Sequence, residues 1–255
     1  MSPSNTGSIQ FDGISGRMLI SGYKGVTGDS PRSIAFWLKT PASGVPIDGT
    51  ICYWGNNLGP GLLQNGTQTK VSLLSGGTDA THVALYGLGS YKESAHDVGD
   101  GKWHHVCFTW PGGQKTYAAA TCYIDGAVSS GAGGKVSGAT LIDTPATREV
   151  TLGCEPSDLF GNTEFFAGRL DDFTIFSTDI TNSGVSQLYN NGHGNIHIAT
   201  SGIYASNLQV WFRMGDSVGD TAGAGGIIQD ASVNNRHAAT TTGTVLIADP
   251  GPEVY

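Results

Sequence analysis

Apolar and polar positions alternate along most of this chain with a period of two, the signature of half-buried strands. Over 32–39, Ile34, Phe36 and Leu38 share one face. Over 103–110, Val106, Phe108 and Trp110 fall on one face, with His105, Cys107 and Thr109 on the other. A run ending at Ile124 closes on Asp125-Gly126, a pair favoured in tight hairpin turns. The same reading predicts strands at 8–12, 17–21, 50–54, 70–75, 82–86, 118–124, 148–153, 168–176, 208–214, 236–240 and 244–248. One short helix is predicted: Thr181-Asn182-Ser183 can cap it, Val185, Leu188 and Tyr189 give it one apolar side, and Gly192 ends it.

Composition sharpens this picture. Glycine supplies 39 of 255 residues, about twice the usual share, which suits many turns and few helices. Only 13% of residues are charged, so the surface must be built largely from Ser, Thr, Asn and Gly. The net charge of -8 offers no basic stripe for a phosphate backbone or an anionic membrane. Nucleic acid and membrane partners are therefore not expected. A mean hydropathy of -0.10 and the lack of a long apolar run fit a globular chain. The opening Met-Ser-Pro-Ser-Asn-Thr-Gly has neither a basic region nor an apolar one, so no signal peptide is expected. Cys52, Cys107, Cys122 and Cys154 lack metal-site spacing. Cys107 and Cys122 lie in consecutive strands and could pair, but free, half-buried thiols are the plainer reading.

Several runs together resemble the laminin-G-like, or concanavalin-A-like, jelly-roll family. They are Phe11-Asp12-Gly13; Gly101-Lys102-Trp103-His104-His105-Val106 leading to Tyr123-Ile124-Asp125-Gly126; Gly168-Arg169-Leu170-Asp171-Asp172-Phe173-Thr174-Ile175-Phe176; and Leu188-Tyr189-Asn190-Asn191-Gly192. They occur in the family's order. The resemblance implies an all-β, two-sheet antiparallel jelly-roll sandwich with one short helix, over 1–255 as one domain. Two further runs, Trp211-Phe212-Arg213-Met214-Gly215-Asp216 and Asp230-Ala231-Ser232-Val233-Asn234, resemble a stretch that in many relatives precedes the jelly roll. Here they follow it, and 200–255 is expected to complete the sheets. The arrangement is similar to laminin-G-like proteins of tailed-phage virions. It implies a virion surface protein made in the host cytoplasm, homo-oligomeric, partnered by capsid or fibre proteins and recognising a host-surface glycan. A free-standing lectin-like module is the alternative; a polysaccharide lyase is a third reading with less to support it.

Catalysis is not expected. Glycosidases of this superfamily hold two carboxyls on one face of one strand, and none of the 21 acidic residues stand at spacing i, i+2. Glu155-Pro156-Ser157-Asp158 imitates the pattern, but at spacing three and in a stretch read as a Pro-broken loop. Only carboxylates converging from different strands would revive that chemistry. Asn195-Ile196-His197 faintly imitates a lyase strand, in the wrong place. No nucleophile elbow or P-loop is present. His104 and His105 are adjacent and point to opposite faces of a strand, and the glycines around His193 and His197 argue against a shared helix face.

Two sets of residues remain. Asp171 is placed by alternation on the face of Phe173 and Ile175, where a carboxylate must be paired, hydrogen-bonded or metal-bound. The family resemblance implies a structural Ca²⁺ held between an Asp of this strand, Asp171 or Asp172, and backbone carbonyls of the first strand near Asp12. The alternative is that Asp171 accepts backbone N–H groups or pairs with Arg169 or Arg17. For a glycan, the resemblance points to loops at one end of the sandwich or to a sheet face. The aromatic and amide groups Trp54, Asn56, Asn57, Tyr86 and Tyr91 are the expected contacts, with core burial the competing reading for Trp54.

Overall fold

The computed structural model describes residues 6–42, 48–56, 66–75, 81–87, 89–129, 136–157, 161–190 and 204–248. In chain order the strands are β1 (Gly7–Asp12), β2 (Met18–Leu19), β3 (Arg32–Lys39), β4 (Thr50–Gly55), β5 (Gln68–Ser75), β6 (Thr81–Gly87) and β7 (Ser90–Glu93). There follow β8 (Trp103–Trp110), β9 (Thr121–Ile124), β10 (Ala127–Val128), β11 (Val136–Ser137), β12 (Thr151–Leu152), β13 (Glu155–Ser157), β14 (Gly161–Thr163) and β15 (Ala167–Phe176). Helix α1 (Asn182–Tyr189) separates these from β16 (Leu208–Phe212), β17 (Ile227–Ile228), β18 (Ala238–Thr240) and β19 (Thr244–Ala248).

Two antiparallel sheets stack into a jelly-roll sandwich. One runs β10-β9-β8-β3-β15-β1-β19, with β16 also on β15; the other runs β11-β7-β6-β5-β4-β12-β2-β18-β17. Alternation decides what lies between them. Ile34, Phe36 and Leu38, Val106, Phe108 and Trp110, and Phe173 and Ile175 meet Trp54, Val71, Leu73, Val83 and Leu85 in one buried cluster. Phe36, Phe173 and Phe212 stack across three strands, with ring centres 6.0 and 6.4 Å apart. Each aromatic buries on the order of 150–250 Å², so these rings dominate the core.

The outer side of the first sheet is covered as well. Ala35, Cys107, Tyr123, Phe176, Val185, Leu188, Leu208 and Trp211 form a second buried cluster that seats α1. This double burial explains why β3 is buried at seven consecutive positions. Thr181 precedes the helix without a side-chain cap; its N–H and hydroxyl instead meet the Tyr204 hydroxyl at 3.1 and 3.0 Å. The helix ends at Asn190, in the left-handed conformation (φ 48°), before the predicted stop at Gly192, which lies outside the described residues. All four cysteines are free and buried. Cys122 stands opposite Phe108, one step out of register with Cys107, so the two thiols belong to opposite faces of the sheet.

The strands between 208 and 248 join both sheets: β19 pairs with β1, β16 with the second half of β15, and β18 with β2. The motif residues there do structural work. Asp230 accepts the backbone N–H of Trp211, Ser232 and Arg236 at 2.8–2.9 Å, and Asp216 accepts the Thr6 N–H at 3.0 Å and its hydroxyl at 2.9 Å. Asn234 donates to the Leu208 carbonyl at 2.8 Å.

Alternation along β15 does not run through. Asp172 has φ 44°, and the register against β3 shifts between Asp171 and Thr174. Leu170, Phe173 and Ile175 all face the core across this bulge. Asp171 is therefore not on the face of Phe173 and Ile175, as alternation predicts. It stands opposite Trp37 on the outer side.

Candidate functional site

Four strands of the second sheet place one row of outward side chains in register: Tyr53 on β4, Lys70 on β5, Tyr86 on β6 and Tyr91 on β7. The Tyr86 and Tyr91 rings stack, with centres 6.3 Å apart and planes 14° from parallel, and both remain half-buried. Lys70 Nζ lies 5.3 Å from the centre of the Tyr86 ring. The β13–β14 hairpin then brings two acids onto the same ammonium. Glu155 Oε2 is 2.5 Å from Lys70 Nζ, and Glu164 Oε2 contacts it from the other side. Glu164 also accepts the Thr50 hydroxyl at 3.1 Å. Lys70 is only 5% exposed, so its charge depends on these partners.

The electrostatics follow from three charges in one place. Burial alone would lower the Lys70 pKa, but Glu155 and Glu164 outweigh it and hold the ammonium above the ordinary lysine range. Two carboxylates share one cation, which leaves one negative charge in excess. Burial pushes Glu155 upward; Lys70 opposes that shift and the Glu164 carboxylate adds to it. Neither residue was expected here. The sequence places Glu155 in a Pro-broken loop because Pro156 cannot donate to a ladder, yet a two-stranded edge hairpin tolerates it. The two glutamates are nine residues apart, and only the hairpin pairing Glu155 with Thr163 makes them neighbours.

The expected glycan contacts divide. Tyr86 and Tyr91 come together as described. Trp54 is fully buried between the sheets, where its indole N–H donates to the Val26 carbonyl at 3.0 Å, so it is a core residue. Asn56 is 5% exposed; its side-chain amide donates to the Gly66 carbonyl at 3.2 Å and its backbone carbonyl accepts a hydrogen bond from the Tyr53 hydroxyl. It is held against Gly66 and does not reach into solvent. Asn57 lies outside the described residues, as do His193, Asn195 and His197.

The Asp12 and Asp171 carboxylates do not lie side by side. Asp12 stands opposite Ala167, four positions from Asp171 along β15. That is about 13 Å of strand, whereas two ligands of one Ca²⁺ lie within about 5 Å of each other. Asp12 instead caps its own turn, accepting the N–H of Ile14, Ser15 and Gly16 and the Ser15 hydroxyl at 2.8–2.9 Å. These donors outweigh the effect of burial and lower its pKa to about 2. Asp172 accepts the Trp211 indole N–H at 2.9 Å, and burial raises its pKa to about 6. Among the described residues, no three metal-ligating side chains gather in one place.

The adjacent histidines separate into two environments. His104 bridges Asp125 at 2.8 Å and Asp100 at 3.1 Å. His105 packs against Trp37 and Tyr189, with ring centres 5.3 and 5.9 Å away, and burial lowers its pKa to about 4. Both hold the fold together.

Residues 12–186 match the family model Laminin_G_3, described as concanavalin A-like lectin/glucanases superfamily. A candidate carbohydrate binding protein from Bacteroides ovatus superposes with a TM-score of 0.63 at 16% identity, over 98% of this chain and 62% of that one. The native heptameric SAP-like pentraxin from Limulus polyphemus gives 0.56 at 14% identity, over 98% of both chains. The CBM40 of the Ruminococcus gnavus IT-sialidase, bound to α2,3-sialyllactose, gives 0.50 at 13%, over 71% of this chain and 97% of that one. The chain thus spans less than two thirds of the Bacteroides protein, and identities this low speak to fold alone. No curated protein sequence matches it. No helix among the described residues is long and apolar enough to cross a membrane. The family model covers more than half of the chain and the two stacked sheets carry its fold, so this chain belongs to the concanavalin A-like lectin/glucanase superfamily.

Proposed function

We propose that the protein is a non-catalytic carbohydrate-binding module, and that the Tyr86–Tyr91 face of the second sheet is where it meets the sugar. The observation that carries this reading is the stacked, half-buried tyrosine pair beside a charged triad. A pyranose ring presents C–H groups on its faces and hydroxyls around its edge. Tyrosine rings offer the first a flat apolar partner, and fixed carboxylates and an ammonium suit the second. The same triad speaks against hydrolysis. A glycosidase keeps the space between its two carboxyls for the scissile bond, and here Lys70 stands in that space.

We further propose that the module works on a tailed-phage virion, held by capsid or fibre proteins, in a homo-oligomer, and directed at a host-surface glycan. The charge-poor surface and the family runs support this placement. A free-standing lectin is the competing assignment, and the two differ in whether purified particles contain the protein.

A glycan array followed by calorimetry on the intact protein tests the binding. Saturable binding to at least one glycan is expected, weakened tenfold or more in Tyr91→Ala, since loss of one stacking ring is worth about 1.5 kcal/mol. Binding unaffected by Tyr91→Ala, or a bound polysaccharide shortened during the assay, would overturn the reading.

A further inference from the structure

The charged triad of the tyrosine face does not balance. Lys70 supplies one positive charge, while Glu155 and Glu164 supply two negative ones in contact with the same Nζ. Glu164 adds the Thr50 hydroxyl at 3.1 Å, a donor without charge. Burial raises the Glu155 pKa, Lys70 opposes that shift, and the Glu164 carboxylate raises it again. The two acids are therefore held together against their mutual repulsion, and a second cation beside them would relieve it.

Exposure decides how such a cation would arrive. The Lys70 side chain is 7% exposed, against 20% for Glu155 and 35% for Glu164. A cation coming from solvent thus meets the carboxylates before it meets the ammonium. The rings lie in the same place. Lys70 Nζ is 2.5 Å from Glu155 Oε2 and 5.3 Å from the centre of the Tyr86 ring, and Tyr86 stacks on Tyr91. A single sugar residue is wide enough to rest on a tyrosine and reach a carboxylate from its edge. Tyrosine faces themselves attract cations, and a net charge of -8 draws a cationic ligand towards the molecule. A neutral sugar gains hydrogen bonds here but leaves the surplus charge as it was.

We infer that the tyrosine face selects an amino sugar whose nitrogen is not acetylated, its ammonium set against Glu164 and Glu155 and its ring on the Tyr86–Tyr91 pair. This rests on the carbohydrate reading of that face and adds the charge of the ligand to it. An ammonium on the sugar donates to carboxylate oxygens in charge-assisted hydrogen bonds, which are stronger than those of a hydroxyl. The carboxylates are partly exposed, so water screens the attraction and the gain over a neutral sugar is roughly three- to fivefold in affinity.

The test is an NMR titration of the intact protein with glucosamine, N-acetylglucosamine and glucose, which share a ring shape and differ in charge. At pH ~6 a sugar amine is protonated. Binding is read at the Tyr91 ring. Glucosamine is expected to bind roughly three- to fivefold tighter than either neutral sugar, and ~0.5 M salt to erase most of that advantage. Glu164→Gln leaves Lys70 matched by Glu155 alone, so the glucosamine-to-glucose affinity ratio should fall to about one. Equal affinity for glucosamine and glucose in the parent overturns the inference and leaves the carbohydrate reading standing. So does a folded Glu164→Gln protein that keeps the parent's ratio. Should that variant not fold, an advantage untouched by salt in the parent overturns it as well. No Tyr91 response to any of the three sugars also overturns it, and the Tyr91→Ala comparison on the glycan array then decides separately whether the face binds another sugar.

Discussion

Replacing Lys70 with methionine tests the charged triad at the heart of the tyrosine face. Methionine keeps most of the apolar stem and removes the ammonium. Two carboxylates would then face each other beside a sheet residue that is 5% exposed. Breaking a fully buried ion pair from one side costs about 3–5 kcal/mol. Glu155 and Glu164 retain 20% and 35% side-chain exposure, so water screens part of that cost, and roughly 2–4 kcal/mol is expected at neutral pH. For a chain of this size that is a fall in Tm on the order of 4–16 °C. The sign with pH follows from the same charges. Without the ammonium, nothing opposes the burial that raises Glu155 in the folded state, which therefore binds more protons than the unfolded chain. The deficit should shrink as pH falls through the raised carboxylate range, and urea melts at pH ~7 and pH ~4.5 measure it. The triple variant Lys70→Met, Glu155→Gln, Glu164→Gln should recover most of the loss. A Lys70→Met protein as stable as the parent at neutral pH, or one with an equal deficit at both pH values, would refute the triad as drawn.

Asp172→Asn should stabilise the protein at neutral pH. Burial raises the Asp172 pKa from 3.8 to about 6, so its folding contribution is full below pH ~4 and lost as pH rises through ~6, roughly 2–3 kcal/mol that an amide does not lose. Asparagine tolerates the φ of 44°, so thermal melts of the two proteins should converge near pH 4 and differ at pH 7. His104 is shifted the same way for a different reason: burial opposes its charge, but Asp125 and Asp100 outweigh it and raise its pKa. Its stabilisation is full below about pH 6.5 and fades as pH climbs through the raised value, so the Tm gap between the parent and His104→Asn should narrow from pH ~6 to pH ~9. Gly25→Ala should cost about 2–4 kcal/mol in a urea melt, because φ is 73° there and a Cβ would come within 2.4 Å of the Trp54 ring.

Large apolar residues recur at every second position of the central strands even though both of their faces are buried, and that period of two is enough to place them. That is why 32–39 and 103–110 coincide with β3 and β8 to the residue. Short edge pieces such as β10, β11 and β17 carry two residues each, too few for any period to register. The Asp171 reading failed for a sharper reason. Alternation assumes an unbroken pleat, and one residue at positive φ exchanges the two faces for everything beyond it. A non-glycine residue in that conformation leaves little trace in a sequence, although aspartate is among those that tolerate it. Trp54 shows the other limit: beside Asn56 it is a candidate loop contact although core burial is the commoner fate of such a residue, and its full burial with the indole N–H on the Val26 carbonyl decides for the core.

The tyrosine face has an origin that local pattern does not reveal. It is a row of single residues from four strands, brought into line by register: Tyr53–Lys70–Tyr86–Tyr91. Within its own strand each of these residues is an ordinary outward polar or aromatic position. Together they set two half-buried rings beside a charged triad, on a molecule in which only 13% of residues are charged. Helix α1 seals the Ala35–Cys107–Trp211 region on the outer side of the first sheet, while Tyr86 and Tyr91 stay half-buried on the second. A ligand on the tyrosine face must therefore suit the triad as well as the rings: a neutral sugar can donate its hydroxyls to Glu155 and Glu164, and an acidic one is repelled by them.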